Sequence, residues 1–195
     1  GPADQDFGYS LRFNDDDTAY LTKTFATAGN LKTWTFSCWV KRSKIGDQQD
    51  IFLPRLSGDG SNESQIYFQN DDRLRIYDGG GAANMMLHTT IAKYRDPSAW
   101  YHLVFAVDTT QSTAADRMKL WVNGEQITEF DESFRVYHAQ NGNTGFGGTS
   151  THYIGSYHGN NHHWDGYMAE MHFIDGTAKT QTSFGETGDY GEWKP

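Results

Sequence analysis

The chain carries a single cysteine, Cys38, among 195 residues. No disulfide can form within it, and none frames the fold. Cys38 sits inside Thr-Phe-Ser-Cys-Trp-Val and reads as a small buried hydrophobe rather than a reactive thiol. No run approaches the roughly 18 apolar residues that a membrane-spanning helix requires. The longest apolar-leaning stretch, Trp100 to Val107, has the length of a buried strand, so membrane insertion is not expected. Basic clusters are missing too, and the formal charge is −9. A chain without a positive face cannot neutralise phosphates, which argues against nucleic acid and against anionic membrane surfaces as partners. Prolines number only 4.

Aromatic residues make up 15% of the chain, and there are 21 glycines. That mixture suits many strands joined by glycine-rich turns. The length fits one domain with a sizeable core. Gly1-Pro2 reads as the remnant of tag removal, leaving 3–195 as the domain. Period-two alternation recurs, and no segment keeps a helical period. Strands are expected at Ser10–Phe13, Ala19–Leu21 and Trp34–Lys41, then as a hairpin, Gln65–Gln69 with Arg73–Tyr77. Trp100–Asp108 reads as a central buried strand interrupted only by His102. Met118–Val122 leads into Asn123-Gly124, a pair suited to a type I′ turn, with Gln126–Phe130 returning. His152–Gly155 and Tyr167–Phe173 close the set, Asn141–Ser150 forms a long loop, and a helical turn fits near Gln181–Phe184. The spacing predicts an all-β antiparallel sandwich or jelly roll.

Six of these pieces stand in the order found in laminin G-like domains of the concanavalin A-like superfamily. They are Ser-Leu-Arg-Phe-Asn at 10–14, Trp-Thr-Phe-Ser-Cys-Trp-Val-Lys at 34–41 and Trp-Tyr-His-Leu-Val-Phe-Ala-Val-Asp at 100–108. Lys-Leu-Trp-Val-Asn-Gly-Glu at 119–125, Tyr-Ile-Gly-Ser at 153–156 and Asp-Gly-Tyr-Met-Ala-Glu-Met-His-Phe at 165–173 complete them. The chain resembles that family over nearly its whole length. Its tail, Phe-Ile-Asp-Gly-Thr-Ala at 173–178 and Ser-Phe-Gly-Glu at 183–186, resembles a subgroup in structural proteins of marine bacteriophages. That resemblance implies a virion-surface or extracellular setting, host-cell glycans and other virion proteins as partners, and leaves a homo-oligomer open.

The same superfamily includes glycan hydrolases, which aim carboxylates from alternating strand positions into one cleft. Here Glu129 and Asp131 would share a face, but Ser133 and Phe134 stand where the hydrolase pattern needs a further Glu. Glu170 and His172 also share a strand face, without a nucleophile nearby in sequence. A non-enzyme is expected. His152, His158, His162 and His163 lie along a glycine- and asparagine-rich segment, and adjacent histidines ligate one zinc ion poorly. Calcium is the better-suited metal, because Asn14, Asp15, Asp16 and Asp17 offer hard oxygens in one turn. Asp96 stands where some family members place a ligand, so Asn14, Asp15, Asp17 and Asp96 are the candidate calcium ligands; Asp108 and Asp116 flank another loop. The acidic run equally suits an ordinary hydrophilic turn.

The segment Gly155 to Asp165 mixes aromatic faces with amide, imidazole and carboxylate groups. A sugar presents C–H faces for stacking and hydroxyls that want paired donors and acceptors. Tyr157, His158, Asn160, Asn161, His162 and Trp164 are therefore candidate ligand-binding residues, with Tyr137 and His138 on the same rim. Trp164, just before a strand, serves either that surface or the core. The expected function is a lectin-like, carbohydrate-binding domain. The alternative is a capsid-decoration or fibre-assembly domain that contacts protein.

Overall fold

The computed structural model describes residues 7–56, 63–79 and 86–195; the expected tag remnant at Gly1-Pro2 lies outside them. The strands are β1 (Leu11–Phe13), β2 (Leu21–Lys23), β3 (Thr33–Arg42), β4 (Gln49–Pro54) and β5 (Ser64–Phe68). They continue with β6 (Arg73–Asp78), β7 (Met86–Lys93), β8 (Tyr101–Asp108), β9 (Met118–Val122) and β10 (Glu125–Ile127). The last are β11 (Phe130–Val136), β12 (His152–Ile154), β13 (Gly166–Asp175), β14 (Glu186–Thr187) and β15 (Trp193–Lys194). Two sheets form the sandwich, one ordered β1-β13-β3-β8-β9-β10 and the other β11-β7-β6-β5-β4-β12-β2, with β14-β15 as a separate hairpin. Their registered strand pairs are antiparallel. Short helical turns occur at Ala114–Asp116 and Gln181–Ser183, the latter as expected.

Alternation along β3 builds both faces of its sheet. Trp34, Phe36, Cys38 and Val40 point inward and are fully buried. They meet Phe52, Ile66, Phe68, Leu74 and Ile76 from the facing sheet, and the Phe36 and Phe52 rings stack 4.9 Å apart. Burial pushes the Cys38 thiol pKa up, as its reading as a hydrophobe requires. On the outward face Thr35, Ser37 and Trp39 are buried as well. The C-terminal segment covers them: Thr35 Oγ1 donates to the Thr177 carbonyl at 2.7 Å and accepts from the Lys179 N–H at 2.8 Å.

Buried acidic groups anchor both ends of β6, and one of them ties the two sheets together. Arg42, fully buried at the end of β3, pairs with Asp72 at 3.1 Å. It also donates to the Tyr94 carbonyl at 2.7 Å and lies 4.4 Å over the Phe68 ring. Burial works against the Asp72 carboxylate, but the Gly46 N–H, Arg42 and Arg95 outweigh it and hold its pKa below the usual value. At the other end Asp78 accepts from Ser64 Oγ and from the Gly145 N–H, and lies 3.1 Å from His138 Nε2.

The strands β4 and β7 escaped the alternation pattern, as did the short β14–β15 hairpin. In β4 a continuous Ile51-Phe52-Leu53 run, buried throughout, follows a bulge between Asp50 and Phe52. In β7 buried polar residues, His88, Thr89 and Thr90, interrupt the apolar signal. The expected return strand Gln126–Phe130 is split. Its first part pairs with β9, whereas Phe130 starts β11 and buries against His88 in the other sheet. The second strand begins at Leu21 rather than Ala19, and all three of its residues are exposed.

Asp72 has φ of 70°, a conformation that asparagine also tolerates. Asp72→Asn therefore preserves the turn but removes the charge beside Arg42. Urea unfolding at pH 7 should register a loss of about 3–5 kcal/mol, the usual consequence of stranding a buried charge.

Candidate functional site

Residues 155–165 form a loop closed on itself. Trp164 N–H donates to the Gly155 carbonyl at 2.8 Å, and Tyr157 N–H to the Asn161 carbonyl at 2.9 Å. Its tip is a tight turn, with φ of 52° at His158 and 75° at Gly159, closed by Asn160 N–H to the Tyr157 carbonyl at 3.0 Å. Gly159 is needed twice over, because the Tyr20 ring also occupies the space a Cβ would take. The Asp50 N–H fastens the loop to β4 through the His162 carbonyl at 3.0 Å.

These constraints assemble a ring cluster. Tyr157 and His158 stack at 4.2 Å, His162 meets Tyr157 edge-on at 5.9 Å, and Tyr153 lies 5.7 Å from His158. Tyr20 extends it, 5.8 Å from Tyr153 and 6.5 Å from His163. Tyr157 and His162 are half-buried, the His158 imidazole is almost wholly buried behind them, and Asn160 and Asn161 are exposed beside them. The surface so formed offers aromatic faces with imidazole and amide groups around them.

Beneath it runs a row of cross-strand partners on the outward face of the seven-stranded sheet: Asp50, Tyr67, Arg75 and Thr89. Asp50 is completely buried, and one of its carboxyl oxygens has no partner among the described residues. Burial first, and then the charge of Glu63, push its pKa up to about 8 against a hydrogen bond from Gln48. Asp50 is thus mostly a neutral acid at pH 7. Glu63 lies 3.6 Å from His158 Nε2, and its carboxylate, after burial, helps raise the Tyr157 pKa to about 12. A general acid must reach the leaving-group oxygen. Asp50 is sealed from solvent, and Glu63 lies against the rings above it.

Other sequence-predicted residues lie elsewhere. Tyr137 follows β11, at the far side of β7, β6, β5 and β4 from β12 and its loop, and packs edge-on against His88 at 5.4 Å. His138 is a correction: it is buried against Asp78, and burial lowers its pKa less than Asp78 and the Ala139 carbonyl raise it. Trp164 is fully buried in the core, 6.0 Å from Phe68, so its ring has no face for a ligand. His152 is likewise interior, accepting from the Gly147 N–H at 3.0 Å. Asp131 is held by Arg73 at 2.6 Å. Glu170 and His172 meet at 3.5 Å across a bulge in β13 where Glu170 takes a φ of 46°, both about half exposed.

The proposed calcium ligands do not converge. Asp15 pairs with Lys44 at 2.9 Å, Asn14 donates its amide to Asp17 at 2.9 Å, and Asp96 accepts from Ser98 N–H and Oγ. Among the described residues no group of three or more His, Cys, Asp or Glu side chains could hold a metal ion. Oxygens already turned toward nearby donors do not fit a shared hard cation.

Sequence reasoning passed over Tyr20, Tyr153, Asp50 and Glu63. Only Asp50 left a signal, a carboxylate at the head of the apolar run Ile51-Phe52-Leu53.

A family model described as Concanavalin A-like lectin/glucanases superfamily matches residues 13–182. No curated protein matches the chain. Among solved structures, a carbohydrate-binding module (CBM40) of the Ruminococcus gnavus IT-sialidase aligns with a TM-score of 0.57 and 13% identity, over 85% of this chain and 96% of that one. The SAP-like heptameric pentraxin of Limulus polyphemus gives 0.55 and 16%, over 83% and 71%. Domain 4 of an extracellular arabinanase from Geobacillus stearothermophilus, solved in complex with arabinotriose, gives 0.55 and 18%, over 79% and 65%. At these identities the likeness is one of fold.

The raised pKa of Asp50 links stability to pH. Between its unfolded pKa, about 3.9, and its folded value of about 8, the folded state holds the extra proton. Stability should therefore fall as pH rises through that window. Asp50→Asn removes this contribution and leaves that of the buried histidines, so the urea midpoint at pH 8 relative to that at pH 5 should be higher in the variant than in the parent. Equal slopes in both would mean that Asp50 ionises normally.

Proposed function

Because the chain belongs to the concanavalin A-like lectin/glucanases superfamily, we propose that it is a non-catalytic carbohydrate-binding domain that meets glycans through the Tyr157–His158 surface. The observation that carries this reading is the half-buried Tyr157 ring, backed at 4.2 Å by the buried His158 imidazole and set beside His162 and exposed Asn160 and Asn161. Ring faces suit sugar C–H groups, and the imidazole and amide groups suit hydroxyls. Two fold neighbours, by their descriptions a carbohydrate-binding module and an arabinanase domain holding arabinotriose, support the same class.

In this reading the domain is displayed on a virion or another extracellular surface, where it contacts host-cell glycans. The phage-like tail segments at 173–178 and 183–186 support that setting. Each site would bind weakly, since sugar hydroxyls exchange water for protein at small net gain. Display in many copies would raise avidity without new contacts.

One observation favours a protein-contact role instead. Edge strands β1 and β2 flank an apolar groove of about 190 Å³ lined by Leu11, Phe13, Leu21, Ile154 and Met168. Tyr9, Leu11 and Leu21 are exposed in its lining. A stable oligomer in light scattering would support this second reading.

A glycan array probed with the intact protein should show binding. Tyr157→Ala and His158→Ala should each weaken it by about tenfold or more. No binding to any arrayed glycan would overturn the proposal.

A further inference from the structure

The outward face of the six-stranded sheet carries a groove of about 850 Å³, on the opposite side of the sandwich from the Tyr157 surface. Its size is within the ~300–1,000 Å³ typical of small-molecule sites. Three indoles, Trp39, Trp100 and Trp193, line it together with Asn123, Gln181 and Glu192.

The indoles are held by the fold. Trp39 stacks on His102 at 4.6 Å and meets Phe7 edge-on at 5.1 Å, and the Trp193 ring lies beside the same imidazole, edge to edge, with centroids 6.0 Å apart. Trp193 Nε1–H donates to His102 Nδ1 at 2.8 Å. An indole can only donate, so Nδ1 is the acceptor and the imidazole proton sits on Nε2, facing Ser37 Oγ at 2.8 Å. Gly124, at the β9–β10 turn with φ of 81°, leaves the space that the Trp193 ring fills. Trp39 is 1% exposed, yet its Nε1–H finds no acceptor among the described residues. A buried N–H donor without a partner costs free energy unless a ligand or water supplies one.

We propose that this groove is a second saccharide site, taking neutral β-linked oligosaccharides with flat, equatorial ring faces. Trp39 is covered by His102 and Phe7, so the partly exposed rings of Trp100 and Trp193 reward C–H faces, and the amides and the carboxylate of Glu192 answer hydroxyls. Lys41 is opposed by Glu125 and Glu192 in the same lining, so there is no positive surplus to recruit sialic acids, uronic acids or phosphates. A peptide strand has nothing to pair with at the floor, because β3 is flanked by β13 and β8 on its two sides. The site does not depend on the Tyr157 surface.

The six tryptophans give six indole N–H signals in a proton–nitrogen spectrum of labelled intact protein. Titration with cellotetraose or chitotetraose to about 20 mM should move the Trp100 and Trp193 signals saturably, a millimolar affinity, and leave those of buried Trp34 and Trp164 still. Trp193→Ala should weaken binding at least tenfold, and Glu192→Gln by several-fold; if the first variant fails to fold, the second decides. Tyr157→Ala should leave these shifts unchanged, which separates this site from the one proposed above. The inference is overturned if neither oligosaccharide moves the Trp100 and Trp193 signals, or if Tyr157→Ala rather than the groove variants abolishes the shift.

Discussion

A guanidinium taken completely out of water has to be answered by the residues around it, and the ion pair of Arg42 with Asp72 is where this sandwich answers it. Arg42 ends β3 in one sheet, and Asp72 stands at the β5–β6 turn of the other. The pair therefore fixes how far apart the sheets lie at that end, and it fixes the β5–β6 turn. From that turn β5 and β6 carry Tyr67 and Arg75 into the row that supports Asp50 and the loop above it. Asp78 anchors the other end of β6 through Ser64, Gly145 and His138. A strand held at both ends by buried charge leaves little freedom for the surface it underlies.

Much of this architecture was legible in the chain. The alternation around Trp34 to Lys41 placed the right residues inward, and Asn123-Gly124 specified its turn, with φ of 50° and 81°. What escaped was burial without alternation. A strand covered on both faces, such as β4, carries no period-two signal. The outward face of β3 is buried too, because distant segments near Phe7, Thr177 and Trp193 fold back over it. Contacts between residues so far apart in sequence leave no local trace.

The candidate site divides in the same way. Composition marked the Tyr157 to His163 loop, since a run of rings, imidazoles and amides is visible along the chain. It could not separate the residues that face outward from those that hold the loop in place. Trp164 and His138 share the chemistry of their neighbours, but one belongs to the core and the other to a charge pair. The acidic turn at 14–17 shows the converse. Its oxygens are adjacent in sequence, yet Lys44 and the Asn14 amide turn them away from a common point.

The margins of the two sheets bear on how such a protein behaves when crowded. Three of the four outermost strands, β1, β2 and β10, are only three residues long. The fourth, β11, is irregular between Phe130 and Arg135 and carries Asp131, Glu132 and Arg135. Short, charged or kinked margins offer a stray strand few consecutive backbone partners. Packed side by side at high local concentration, copies of this domain would resist fibrillar association through their sheets, leaving side-chain surfaces as the means by which they meet anything else.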